Sequence, residues 1–89
     1  MSSSQPHEAQ IRAVLQEHGR LNKPVRDIAI DSDLYQAGMT SHASVNVMLA
    51  LEGSFDVEFP DHMLKRRVFS SIAAIHDALA ELERAKTMR

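Results

Sequence analysis

Apolar residues recur along this chain at three- and four-residue intervals, and that spacing predicts helices. Ile11, Val14 and Leu15, with His18 at the edge, share one face of a first helix ending at about Gly19, while Glu8, Arg12, Gln16 and Glu17 fall largely outside it. Gly19 suits a C-terminal cap. The polar start, Ser2 to Gln5, is expected to fray, with Ser4 available as N-cap and Pro6 tolerated in the first turn. A second apolar set, Val45, Val47, Met48, Leu49, Leu51 and Phe55, predicts a helix from about Ser41 to Ser54 that stops near Gly53. Met48, Leu51 and Phe55 face inward with Val47, and Val45 and Leu49 lie nearer the exposed side. After Pro60 the pattern allows a short helix from Asp61 to about Lys65. Ser70 or Ser71 then caps a final helix carrying Ile72, Ile75, Leu79 and Leu82 at helical spacing.

Between the first two helices, residues 21–39 form a long connection, and a bare loop of that length is unusual in a compact domain. This one carries its own anchors: Leu21, Val25, Ile28, Ile30, Leu34, Tyr35 and Met39 can pin it across the helices. Asp31 and Asp33 flank Ser32 and read as local turn or cap formers.

Length and composition narrow the architecture. Eighty-nine residues make one small domain, 1–89, around a single core. Glycine and proline are scarce, three of each, and no stretch alternates long enough for a sheet, so the expected class is all-α, a small three- or four-helix bundle. Five methionines and four aromatic residues imply a core of flexible side chains. The absence of cysteine excludes a disulfide scaffold and a thiolate metal site, and fits a reducing compartment. A net charge of −2 argues against nucleic-acid binding. The longest apolar run, Val47 to Leu51, is too short for membrane insertion, and residues 1–6 lack a signal-peptide pattern, so a cytoplasmic location is expected.

Candidate chemistry centres on Ser41, which follows a Gly-containing turn and opens the second helix. Unpaired N–H groups and the positive end of the macrodipole at such a position stabilise a phosphate ester. The simpler role of a serine there is N-capping. Ser41-His42 makes no nucleophile pair, because adjacent helical residues do not face each other and no G-x-S-x-G elbow is present. The five histidines include no metal-binding pair at helical spacing. Lys65-Arg66-Arg67 is able to meet phosphate, although three charges in a loop are more often a solvated face.

The segment from Asp33 to Asp61 resembles the acyl and peptidyl carrier proteins. Asp33-Leu34, Gly38, Ser41, Leu51-Glu52, Phe55, Val57, Phe59 and Pro60-Asp61 match the family pattern in order and spacing. The resemblance implies a monomeric, non-catalytic carrier of acyl-carrier type with a long loop between helices one and two. It implies 4′-phosphopantetheine attached to Ser41, whose thiol holds an acyl or aminoacyl group as a thioester. Implied partners are a phosphopantetheinyl transferase, an acyl- or amino-acid-activating ligase, and a downstream acyltransferase or synthase. Thr40, His42, Val45, Asn46, Leu49 and Glu52 are the candidate partner-binding residues. Thr40 replaces the usual Asp, His42 the usual Leu, and Ala43 and Asn46 stand where acids are common, so docking is expected to depend on packing more than on steering. Gly38-Met39-Thr40-Ser41, Phe55 to Asp61 and Arg66 to Ile72 are similar to free-standing aminoacyl carriers served by seryl-tRNA-synthetase-like ligases. The alternative is an unmodified helical adaptor that keeps the carrier fold.

Overall fold

The computed structural model describes residues 7–87, in which three α-helices are joined by irregular segments. They are α1 (Glu8–His18), α2 (Ser41–Phe55) and α3 (Ile72–Thr87). Short 3₁₀ turns occur at Val25–Asp27, Asp61–Met63 and Arg66–Phe69, and no strand is present among the described residues. The all-α bundle is therefore as expected, except that the segment after Pro60 forms a 3₁₀ turn ending at Met63 and not a fourth helix. The expected fray and the capping roles of Ser4 and Pro6 lie outside the described residues.

Each helix turns one stripe inward. Ile11, Val14 and Leu15 are buried on α1, and Ile72, Ile75, Ala78 and Leu79 on α3. On α2 the buried set is Ala43, Val47, Leu51 and Phe55, an unbroken i, i+4 ladder. α1 packs against both other helices. Phe59 and Phe69, with ring centroids 5.3 Å apart, close the core from the segment between α2 and α3. Met48, expected to face inward, is only half-buried.

α1 ends where Gly19 brings its N–H within 2.8 Å of the Leu15 carbonyl. A Cβ at Gly19 would lie 2.8 Å from that oxygen, so close approach rather than a left-handed φ requires glycine here. The chain reverses one residue later, at Arg20 with φ 55°.

The connection to α2 is held from the polar side of α1. Arg12 donates from Nη1 to the carbonyls of Val25 (2.6 Å) and Ile28 (2.9 Å), and from Nε to Glu8 (2.9 Å). Gln16 accepts from the Val25 N–H at 3.0 Å. Val25, Ile28, Leu34 and Met39 are buried as expected, but Ile30 is 40% exposed. Ile30 contributes through its backbone, its carbonyl accepting from the Ala73 N–H at 2.8 Å. Asp33 accepts from the Tyr35 N–H at 2.9 Å, the turn-forming role read from the sequence. Gly38, with φ 110°, makes the last reversal before α2, a conformation that side chains with a Cβ rarely adopt.

α2 does not stop at Gly53. It continues to Phe55, and Asp56 takes the left-handed cap at φ 55° with its N–H on the Glu52 carbonyl. For α3 the cap is Ser71, whose Oγ accepts from the Ala74 N–H at 3.0 Å; Ser70 donates instead to the Arg67 carbonyl.

Two stability measurements check this packing. Leu51→Ala should lower unfolding free energy by about 2–5 kcal/mol, since the side chain is fully buried. Arg12→Ala leaves two backbone carbonyls without their donor and should cost about 1–3 kcal/mol. A denaturant midpoint equal to the parent's in either variant would contradict the corresponding contact.

Candidate functional site

The N-cap of α2 is Thr40. Its backbone is extended (φ −86°, ψ 168°) and its Oγ1 accepts from the Ala43 N–H at 3.0 Å. The capping role open to Ser41 in the sequence is thus taken by its neighbour. Ser41 is exposed, and its Oγ makes no hydrogen bond among the described residues. Met39 and Ala43, on either side, are both buried, so the backbone is fixed while the hydroxyl between them is free.

The first turn of α2 contains no acidic residue, which leaves the positive end of the helix uncompensated at Ser41. A phosphodiester attached there meets a favourable field and loses no capping bond. The residues present therefore fit a phosphate-linked group.

Ser41 stands at the edge of an open groove of about 460 Å³. Val45 and Met48 of α2 form one wall; Leu64 and Phe69 form the other. Along the rim the Arg66 guanidinium lies 3.8 Å from the centroid of the Tyr35 ring, and Tyr35 Oη donates to the Arg66 carbonyl at 3.2 Å. The half-exposed position of Met48 is explained by this groove, which it lines beside the serine.

The other residues singled out in the sequence divide into distinct surroundings. His42 is exposed, Asn46 is half-buried, and Val45 and Leu49 are 50% and 54% exposed on the outer side of α2. Glu52 turns away from them: its carboxylate accepts from the Phe59 N–H at 2.9 Å and ties the segment after α2 to the helix. At the far end of α2, His7 packs edge-on against Phe55 at 5.0 Å and lies 2.8 Å from Glu83. Among the described residues no group of three or more His, Asp or Glu is placed to hold a metal ion, and no helix is long and apolar enough to cross a membrane.

The sequence singles out Ser41 but not the groove, whose second wall comes from the irregular stretch between α2 and α3. The aromatic Tyr35 and the exposed Leu64 beside the basic run were the available signals. Neither follows a helical period.

Comparison with known proteins adds to this geometry. Residues 9–79 match the family described as the phosphopantetheine attachment site. An aminoacyl carrier protein from Agrobacterium fabrum is 51% identical over 71 residues, covering 80% of this chain and 86% of the relative. A carrier protein from Agrobacterium tumefaciens, solved in complex with an engineered Bradyrhizobium japonicum glycine:[carrier protein] ligase and AMP, aligns with a TM-score of 0.81 and 49% identity, over 82% of this chain and 97% of that one. A solution structure of an Agrobacterium tumefaciens protein gives a TM-score of 0.72 at 45% identity, over 92% and 99% of the two chains. Nothing in these matches favours an unmodified adaptor. With its helical fold and its match across most of its length, the chain belongs to the phosphopantetheine-binding carrier proteins, non-catalytic proteins that hold an acyl or aminoacyl group for other enzymes.

Proposed function

We propose that Ser41 Oγ bears the 4′-phosphopantetheine and that the cargo is an amino acid. The observation carrying the first part is the free, exposed hydroxyl of Ser41 on a helix start already capped by Thr40. The second part is supported by the 51% identity to an aminoacyl carrier protein and by the likeness to a carrier solved with a glycine-activating ligase. When attached, the group supplies the thiol on which cargo is held as a thioester.

The chain itself contributes placement. The buried flanks Met39 and Ala43 fix the root of the arm, the start of α2 favours the negative diester, and the groove offers an apolar bed beside it. Partners in this reading are a phosphopantetheinyl transferase, an ATP-dependent amino-acid-activating ligase and a downstream acyltransferase or synthase, visited by a monomer in the cytoplasm. Val45 and Leu49 form the apolar centre of the docking face, with Thr40, His42 and Asn46 around it. Glu52 supports the face by holding the Phe59 segment. Tethering raises the effective concentration of cargo at each partner in turn.

Co-expression with a broad-specificity transferase should add one phosphopantetheinyl mass, and Ser41→Ala should abolish the addition without changing the melting curve. Thr40→Ala should instead cost about 1 kcal/mol of stability, because it removes the cap. Persistent modification of Ser41→Ala would contradict the assignment. Incubated with an amino-acid:carrier ligase, ATP and a small amino acid, the holo protein should gain an aminoacyl mass that hydroxylamine removes. Val45→Asp or Leu49→Asp should lower kcat/KM for loading by about tenfold or more, with unchanged melts. Loading by a fatty-acyl ligase and by no amino-acid ligase would return the cargo to the general acyl class.

A further inference from the structure

We propose that the basic run across the groove from α2 is the electrostatic half of the docking face, and that the loading ligase meets it with a surface carrying carboxylates around an apolar centre. The proposal rests on the reading of Ser41 as the arm-bearing residue. It begins with a sign. α2 contains a single carboxylate, Glu52, and that group is bonded to the Phe59 N–H. Lys65, Arg66 and Arg67 are all exposed, and none has a carboxylate within ion-pair distance among the described residues; Arg67 lines a separate depression beside α3. Lys65 and Arg66 line the same groove as Ser41.

Two features separate this run from an ordinary solvated loop. Arg66 is held over the Tyr35 ring at 3.8 Å, and the Tyr35 hydroxyl is bonded to the Arg66 carbonyl, so the cation is fixed in place before any partner arrives. Apolar residues of the groove are also exposed, Leu64 at 47% and Val45 at 50%, and Leu49, one turn further along α2, is 54% exposed. An apolar centre bordered by cations, one of them held in place, is the composition of a protein-docking patch. The single negative charge of a phosphodiester on Ser41 leaves that border net positive.

A partner protein is favoured over a polyanion by the charge of the rest of the molecule. The chain as a whole carries −2, and the cations lining the groove are Lys65 and Arg66, whereas nucleic-acid and lipid surfaces select broad basic patches. Charge at such a border acts on encounter and orientation, and so on KM more than on kcat. The loss of acids along α2 suggests, from sequence alone, that steering is weak. The folded chain reverses the sign of steering instead of removing it.

The test uses holo protein whose arm is first verified by intact mass, so that failure of the Ser41 reading is seen before docking is measured. Glycine loading by the Bradyrhizobium japonicum ligase with ATP is followed at about 50 and about 300 mM NaCl, a range over which surface charges become screened. Lys65→Glu/Arg66→Glu should raise KM about tenfold at the lower salt and leave kcat within about twofold. Added salt should raise the parent's KM several-fold and leave the variant's almost unchanged. Arg66→Lys should stay close to the parent, and Arg26→Glu, outside the groove, should match it. A KM within about twofold of the parent for the double reversal, or a lower one, would overturn the proposal. So would binding of the parent, and not the variant, to phosphatidylglycerol vesicles when the ligase KM is the same for both.

Discussion

The route of the chain from α1 to α2 is set by the guanidinium of Arg12, which donates to the carbonyls of both Val25 and Ile28 while Glu8 holds its Nε. A connection of this length is costly to order, and the loss of conformational freedom must be offset by contacts along the way. Arg12 and Gln16 supply them at the start, the burial of Leu34 in the middle, and Met39 at the end. Because each anchor fixes the next, Ser41 reaches the surface at a defined point on a defined helix. Without that restraint, the hydroxyl would have no constant relation to Val45, Met48 or the Arg66 rim.

Two adjacent residues divide the work at the start of α2. Thr40 satisfies the helix by accepting the Ala43 N–H, and Ser41 is left with nothing to satisfy. Had one serine to do both, attaching a phosphate to it would cost the helix its cap. Glu52 makes a comparable internal commitment at the other end, where it closes the loop to Phe59. The acid retained on α2 is thereby structural, and the exposed charges lining the groove beside Ser41 are cationic.

Much of this could be read from the sequence because helical periodicity reports burial directly. Ile11, Val14 and Leu15, the α2 residues Val47, Leu51 and Phe55, and Ile72, Ile75 and Leu79 were all identified from spacing, and all are buried. Val45 and Leu49 were placed outward for the same reason. Periodicity was silent where polar groups reach across elements. Arg12 and Gln16 fall outside the apolar face of α1, and nothing in their spacing reveals that they bind the connection. Ile30 looked like an anchor by its side chain but acts through its carbonyl, and Gly53 resembled a stop although the left-handed turn falls on Asp56. The groove was hidden because Leu64 and Phe69 lie in and around 3₁₀ turns whose residues share no repeating face.

The most direct test of this account is fragmentation mass spectrometry of the intact protein after modification by a transferase, with the added mass assigned to a residue. The free hydroxyl at the capped start of α2 predicts one phosphopantetheinyl group per chain, on Ser41. Its appearance on Ser44 or on any other residue would contradict the claim that the architecture exists to present Ser41.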